Sequence, residues 1–228
     1  MSNVKLKATT DIPNPNKYIQ LLEGSFSNYA FSEKRVIENK GVWRKNIFQV
    51  TENTPLDLEI GIGNGFHFAY YANKHSTRCL VGLEIKFKPL IQSIQRALKN
   101  NAKNMRVARY NACFVEDLFS NEEVNNVIIH HPDPWLKKKQ HKHRLIQKNF
   151  LDKLFLLQKK QSFLEIKTDS LDYFEWIYKA VKKTKYSIVE ISYDLHHSPY
   201  KEDNFTTYFE TIFLKKSQAI YWLKAIKL

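Results

Sequence analysis

Leu56-Asp57-Leu58-Glu59-Ile60-Gly61-Ile62-Gly63-Asn64-Gly65 decides how this chain folds. Over 56–60 apolar residues alternate with acids, the period of a strand, and the run then breaks into glycines at 61, 63 and 65. Glycine opens left-handed turns to the backbone and lets a ligand approach the main chain. A helical segment follows from about Asn64 to Lys74, so the stretch reads strand, tight turn, helix. The dinucleotide fingerprint Gly-x-Gly-x-x-Gly would need glycine at 66, where this chain has Phe66. The spacing is instead Gly-x-Gly-x-Gly, with Glu59 two residues ahead of the first glycine. Taken alone, the glycines are equally an ordinary tight turn.

The same alternation continues outward. Cys79 to Ile85 reads as a second strand and Phe87 to Asn101 as a second helix, with Leu90, Ile91, Ile94, Ala97 and Leu98 on one face. Met105 to Tyr110, Asn126 to His131 and Ser162 to Lys167 are further strands. Between and after them lie a short helix at Cys113 to Phe119 and longer ones at Leu145 to Leu157 and Leu171 to Lys183. Tyr186 to Tyr193 and Ala219 to Lys227 add strands at the end, separated by an amphipathic helix over Asn204 to Lys216. This spacing predicts an α/β fold: a mostly parallel sheet with helices on both faces and an antiparallel strand near the C-terminus. Residues 1–50 lack clean periodicity and carry the turn signal Pro13-Asn14-Pro15-Asn16. They are expected to be an N-terminal extension, disordered over its first dozen residues, ahead of a single domain at 51–228.

Composition narrows the partners. The 228 residues carry a formal net charge of +13, which favours phosphate-rich ligands through counterion release. A membrane surface is the competing anionic partner, but no uninterrupted apolar run approaches the ~20 residues of a membrane span. The start, Met1-Ser2-Asn3-Val4-Lys5-Leu6-Lys7, has no apolar signal-peptide core. Cys79 and Cys113 make neither a disulfide framework nor a CxxC metal motif. The pairs His130/His131, His141/His143 and His196/His197 form no ligand set, so no metal is expected. The expectation is a soluble cytoplasmic protein with reduced thiols.

A second stretch points to chemistry: His130-His131-Pro132-Asp133-Pro134-Trp135-Leu136-Lys137-Lys138-Lys139-Gln140-His141-Lys142-His143-Arg144. The β-branched run Val127-Ile128-Ile129 ends at a rigid turn, which holds Asp133 at the carboxyl end of a strand. Open α/β sheets keep their ligand sites there. Positions 137–144 then hold five Lys or Arg and two His, and an acid beside such a loop suggests chemistry on a polyanion. A turn followed by a solvated charge run is the alternative. Glu84 ends the second strand about twenty residues past the glycines, where an acid can pair with ribose hydroxyls. Asn111 follows the third strand and can reach an adenine edge or serve a turn.

Together, the acid and the glycine turn resemble the S-adenosylmethionine (SAM) site of Rossmann-like methyltransferases. Glu59 with Gly61, Gly63 and Gly65, Gly82-Leu83-Glu84, Pro132-Asp133-Pro134-Trp135 with its basic continuation, Lys167-Thr168-Asp169 and Thr207-Tyr208-Phe209-Glu210 resemble one family in particular. That family is the bacterial tRNA (guanine-N7)-methyltransferases, and the resemblance covers roughly residues 55–228. It implies a Rossmann-like SAM-dependent methyltransferase domain and transfer of methyl from SAM to N7 of a tRNA guanosine, at position 46 of the variable loop. It implies that Glu59, Glu84 and Asn111 contact SAM and that Asp133 is the catalytic acid, bordering the cofactor as well. Lys137, Asp169, Thr207, Tyr208, Phe209 and Glu210 are implied to contact the substrate. Lys138, Lys139, Gln140, His141, Lys142, His143 and Arg144 are implied to lie on the RNA. The resemblance is to enzymes without a separate partner subunit, so a monomer or homodimer is expected. This chain departs from the family pattern at His131 (usually Phe), Leu136 (Pro), Gln140 (His), His143 (Arg) and Phe209 (Tyr). Replacing proline by Leu136 frees one backbone dihedral beside the reaction centre.

The residues also suit that reaction chemically. Guanine N7 has an in-plane lone pair and no proton, so its attack requires alignment and charge stabilisation, with no general base. Asp133 or Asp169 can accept hydrogen bonds from the guanine N1–H and exocyclic amine, which adenine cannot satisfy. Trp135 can stack on a splayed base or pack under the loop. Asp169 also fits a helix N-cap region, and 207–210 an amphipathic helix start with Phe209, Ile212 and Phe213 as core. Two other functions remain: SAM-dependent methylation of an exocyclic amine, and RNA binding on the same fold without catalysis.

Overall fold

The structure is a computed structural model and describes residues 5–228. Eight strands form one sheet in the order β1-β4-β3-β2-β5-β6-β8-β7. These are β1 (Ala30–Phe31), β2 (Leu56–Ile60), β3 (Cys79–Leu83), β4 (Met105–Ala108), β5 (Val127–His130), β6 (Phe163–Thr168), β7 (Ser187–Ser192) and β8 (Tyr221–Ile226). Strands β1 to β6 pair in parallel, and β8 runs antiparallel to both β6 and β7. The mostly parallel α/β sheet with an antiparallel strand near the C-terminus is as expected.

Side-chain alternation sorts the core into two layers, one on each face of the sheet. On β3, Cys79, Val81 and Leu83 pack into one cluster and Leu80 into the other. The first face is covered by α5 (Lys148–Leu157) and α6 (Leu171–Val181), through Phe150, Leu154, Phe174 and Ile177. The opposite face is covered by α3 (Phe66–Lys74) and α4 (Phe87–Lys99), through Phe68, Leu90, Ile91 and Ile94. Strands covered on both sides read as near-continuous apolar runs, and β3 and β5 do so.

Several elements are shorter than the periodicity predicts. The helix expected from Leu145 begins at Lys148, because Ile146 N–H is taken by the Tyr173 hydroxyl and the chain stays extended until then. The helix expected over Asn204 to Lys216 is α7 (Tyr208–Leu214), capped by the Thr207 hydroxyl on Glu210 N–H. Its expected first turn is held instead by Lys167, which bonds the Asn204 side chain and the Phe205 carbonyl. The segment expected as a short helix is a 3-10 turn at Ala112–Asp117.

Residues 5–50 pack into the same body. Helices α1 (Lys17–Glu23) and α2 (Glu33–Ile37) flank β1, which adds to the sheet edge against Val107 and Ala108 of β4. Trp43 is fully buried between Phe31 and Phe119, and its indole N–H donates to the Leu118 carbonyl at 2.9 Å. Arg44 beside it is buried too, bonding the Thr54 and Glu123 carbonyls. Such long-range aromatic anchors carry no periodic signal, which is why this segment reads as an extension. Within the dozen residues expected to be disordered, Met1 to Val4 lie outside the described residues, while Thr9 is buried and bonds Glu33 and Glu23.

Trp43→Ala should therefore destabilise the whole domain by about 3–5 kcal/mol, the range for truncating a large buried aromatic. Urea unfolding followed by circular dichroism measures it. A loss below about 1 kcal/mol would mean that residues 5–50 are dispensable to the fold.

Candidate active site

The strand order reverses between β2, whose chain continues to β3, and β5, which returns on its other side. The connections that follow these two paired strands leave to opposite faces of the sheet, and a cleft of about 1010 Å³ opens at the strands' carboxyl ends. Gly61 and Gly63 line it with φ of 76° and 53°, a region costly for other residues. A Cβ at either would meet no atom within 4 Å and would project into open space, so these glycines keep the cradle clear. Gly65 does something else. Its Cβ would fall 2.4 Å from Ser93 Cβ, so it sets the close approach of α3 and α4 rather than lining the cleft.

Glu84 closes β3 and is held from three sides. Gly63 N–H donates to its Oε2 at 3.1 Å, and Ile85 and Lys86 N–H donate to its Oε1 at 2.8 and 2.9 Å. The acid and the glycine turn thus fix one another. Asn111 lines the cleft beyond β4, its side-chain oxygen accepting from Cys113 N–H as a cap. Glu59 does not line the cleft. It is 3% exposed, and its Oε2 pairs with His67 Nδ1 at 2.9 Å.

Across the cleft stands the arm that follows β5. His131 takes φ 49° ahead of Pro132, and Asp133 is exposed at the cleft between the two prolines. Trp135 is half-buried, lines the cleft and packs on His143 at 5.4 Å between ring centroids. Phe209 enters the same cleft from α7, while Lys137, Asp169, Thr207, Tyr208 and Glu210 do not line it. Lys137 is exposed at the start of the 3-10 turn Lys138–His143.

The cationic segment divides into surface and anchor. Lys138, Lys139 and Lys142 are exposed, and Gln140, His141 and His143 are half-buried. Arg144, expected on the RNA with the rest, borders the cleft but is 2% exposed. Its guanidinium bonds the Pro134 carbonyl at 2.8 Å, pairs with Asp172, and lies over the Tyr173 and Trp176 rings. The aromatics that bury it sit on α6, about thirty residues on, so the sequence shows the charge run and not the pocket that takes its last member.

Glu210 also differs from a simple substrate contact. It is fully buried, with Lys167 Nζ at 3.1 Å, Asn204 Nδ2 at 2.9 Å and His196 Nε2 at 3.2 Å. Burial opposes its ionisation, but His131, Lys167 and Asn204 together hold the carboxyl well below the usual range. Beneath the cleft His130 Nε2 pairs with Glu165 at 2.8 Å and its ring meets His67 at 4.4 Å. Burial, then Lys167, pushes the His130 imidazole well below its ordinary value. Among the described residues no cluster of His, Cys, Asp and Glu is arranged to hold a metal ion. Cys79 is buried, which pushes its thiol up to about 11.

Sequence reasoning missed one wall. Lys5, Leu6 and Lys7 line the cleft, pinned by Lys5 to Asp117 at 2.9 Å and by Arg109 donating to the Lys7 carbonyl at 3.0 Å. Arg109 is itself buried against Glu33. No local pattern announces this.

An apolar slot with a glycine cradle, an anchored strand-end carboxylate and an exposed acid opposite fits a nucleoside bearing a charged tail. Solved structures share the fold. The structure of the 16S rRNA methyltransferase KamB superimposes with a TM-score of 0.57 at 12% identity, over 78% of this chain and 90% of that one. The likeness shows a Rossmann-like fold. A family model described as "Putative methyltransferase" matches residues 53–223. The tRNA (guanine-N(7)-)-methyltransferase of Bdellovibrio bacteriovorus is 45% identical, over 91% of this chain and 99% of that protein. Its counterpart from Oenococcus oeni is 33% identical over 84% and 89%. The chain belongs to the tRNA (guanine-N7)-methyltransferase family.

Proposed function

We propose that this protein transfers the methyl group of SAM to N7 of a guanosine in tRNA, at position 46 of the variable loop, forming 7-methylguanosine. The observation that carries the reading is Asp133, exposed on a two-proline arm across the cleft from Gly61, Gly63 and Glu84. An exocyclic amine must lose a proton during methylation, whereas N7 needs only alignment and charge stabilisation, which an acid held on a rigid arm supplies. The enzyme works in the cytoplasm as a monomer or homodimer without an obligate partner subunit. No described helix is long and apolar enough to cross a membrane.

Bound SAM supplies an electrophilic methyl carbon on a sulfonium. The main chain at Gly61 and Gly63 lets the cofactor lie against the turn, and Glu84 accepts hydrogen bonds from ribose hydroxyls while its backbone donors keep it aimed. Asn111 borders the base end. Glu59 acts through His67, as a buried brace under the turn. On the other wall Asp133 orients the guanine and stabilises the positive charge that passes to the purine. Asp169 and the Thr207–Glu210 segment complete the substrate side with Lys137, and Phe209 offers a ring face to the base. Lys138, Lys139 and Lys142 meet phosphate, with Gln140, His141 and His143 behind them, and Arg144 fixes the loop.

The test is incubation with unmodified tRNA and labelled SAM, followed by nucleoside analysis. Label in 7-methylguanosine is expected, and label in an exocyclic-amine product or none at all would overturn the reading. Asp133→Asn should lower single-turnover rate at least about tenfold with SAM affinity nearly unchanged, since it keeps the size and loses the charge. A near-normal rate would remove Asp133 from the chemistry.

Replacing Lys138, Lys139 and Lys142 together by Ala should flatten the slope of log tRNA affinity against log salt by about two units, at roughly 0.7–0.9 per phosphate contact. Thermal stability should not change, because all three side chains are exposed. Arg144→Ala should instead lower the melting temperature. Parallel salt slopes for wild type and the triple variant would show that the loop is only solvated.

A further inference from the structure

His131 joins the central strand to the Asp133 arm. Its Nδ1 lies 3.6 Å from Asp169 Oδ1, its Nε2 lies 3.6 Å from Glu210 Oε1, and the side chain is 10% exposed. The imidazole thus bridges the end of β6 and the first turn of α7. A residue before proline is steered out of the right-handed helical region, and His131 settles at φ 49° with its N–H donated to the Lys167 carbonyl at 2.8 Å. Held this way, the ring is a fixed member of the arm that carries Asp133.

Charge balance decides what the ring does. Two carboxylates meet here, and the permanent cation among them is Lys167, 3.1 Å from Glu210. Asp169 takes a side-chain hydrogen bond from Gln218, a neutral amide, at 3.4 Å. A neutral imidazole leaves one negative charge uncompensated in a half-buried place, and an imidazolium balances it. His196 faces the far oxygen of Glu210 at 3.2 Å, and His130 on the same strand is disfavoured as a cation by burial and by Lys167. Asp133, two residues along the arm, adds a third acid.

We propose that protonated His131 is a positioning residue for methyl transfer, holding Asp169 and Glu210 in place so that the fit of the target guanine follows the charge of this imidazole. The proposal rests on the reading above, in which Asp169 serves the substrate. Burial works against the imidazolium, but the contacts with Asp169 and Glu210 outweigh it and raise His131 above its ordinary value. Asp169 moves the opposite way: burial would raise it, and the contact with His131 lowers it. A raised imidazole contributes fully below the free value of about 6.5, and its contribution fades as pH climbs through the raised value. Guanine N7 carries no proton, so the chemical step itself brings no competing ionisation near neutrality.

Two measurements test this. In the free protein, the His131 ring followed by NMR should titrate above free histidine, and Asp169→Asn should bring it down. In steady state, kcat/KM for tRNA should fall on the alkaline side by about tenfold per pH unit beyond that value, with KM for SAM flat. His131→Phe, which keeps the ring, and His131→Asn, which suits a left-handed backbone, should lower kcat/KM for tRNA below the break and abolish the alkaline limb. A purely structural role would lower the melting temperature and leave the limb. A His131 that titrates at or below the ordinary value, or a limb that survives in both variants, overturns the proposal. Absence of 7-methylguanosine from wild type at every pH overturns the functional reading beneath it instead.

Discussion

Asp57 is the constraint on which the rest of this structure hangs. It is wholly buried near the start of β2, and its two oxygens accept four hydrogen bonds. Oδ1 takes Arg78 Nη2 at 2.6 Å and Asn126 N–H at 3.0 Å; Oδ2 takes Arg78 Nε at 2.6 Å and the Tyr71 hydroxyl at 2.9 Å. Arg78 precedes β3, Asn126 precedes β5, and Tyr71 lies on α3. One carboxylate therefore ties together the starts of the three central strands and the helix after the glycine turn. Burying an ion pair costs desolvation and is offset only when its remaining polar atoms are satisfied, as they are here. The benefit is register. With the strand starts pinned, the strand ends that carry Gly61, Glu84 and the 131–133 arm fall at fixed depths around the cleft.

Around that cleft, burial separates charges by task. Carboxylates that must keep a shape, Glu59, Glu165 and Glu210, are each paired with a histidine or lysine beneath the surface. Asp133 stays exposed, where a substrate can replace water around it. The cations divide likewise, with Arg144 drawn into the core and four lysines left outside. A single basic run thus serves both loop rigidity and long-range attraction.

The elements legible in the sequence were those with local causes. Strand alternation at Leu56–Ile60, the glycines that follow and the proline-bounded Asp133 all act through their own backbone, and the structure puts them where the pattern says. Glu84 was legible for the same reason, being the last residue of its strand run. Contacts across the fold left no trace in any window. Trp43 filling the sheet edge, Lys5 to Lys7 walling the cleft, Arg144 buried on α6 aromatics and Glu210 sealed by Lys167 each depend on a residue at least twenty-five positions away. Gly65 was readable as a glycine but not for its reason, since Ser93 and α4 supply it.

The antiparallel strand has a consequence for how the protein is made. Among the described residues β7 has β8 as its neighbour in the sheet, yet β7 leaves the ribosome first. Until about thirty more residues emerge, β6 presents an open edge and β7 waits without a partner, while β1 to β5 can already close around the cleft. Nascent chains with unpaired edges are prone to associate wrongly, and late long-range pairing is slow. Lys224 of β8, whose ammonium sits over the Phe163 ring of β6 and reaches Glu190 of β7 at 3.7 Å, clasps both waiting strands as the last one slides between them.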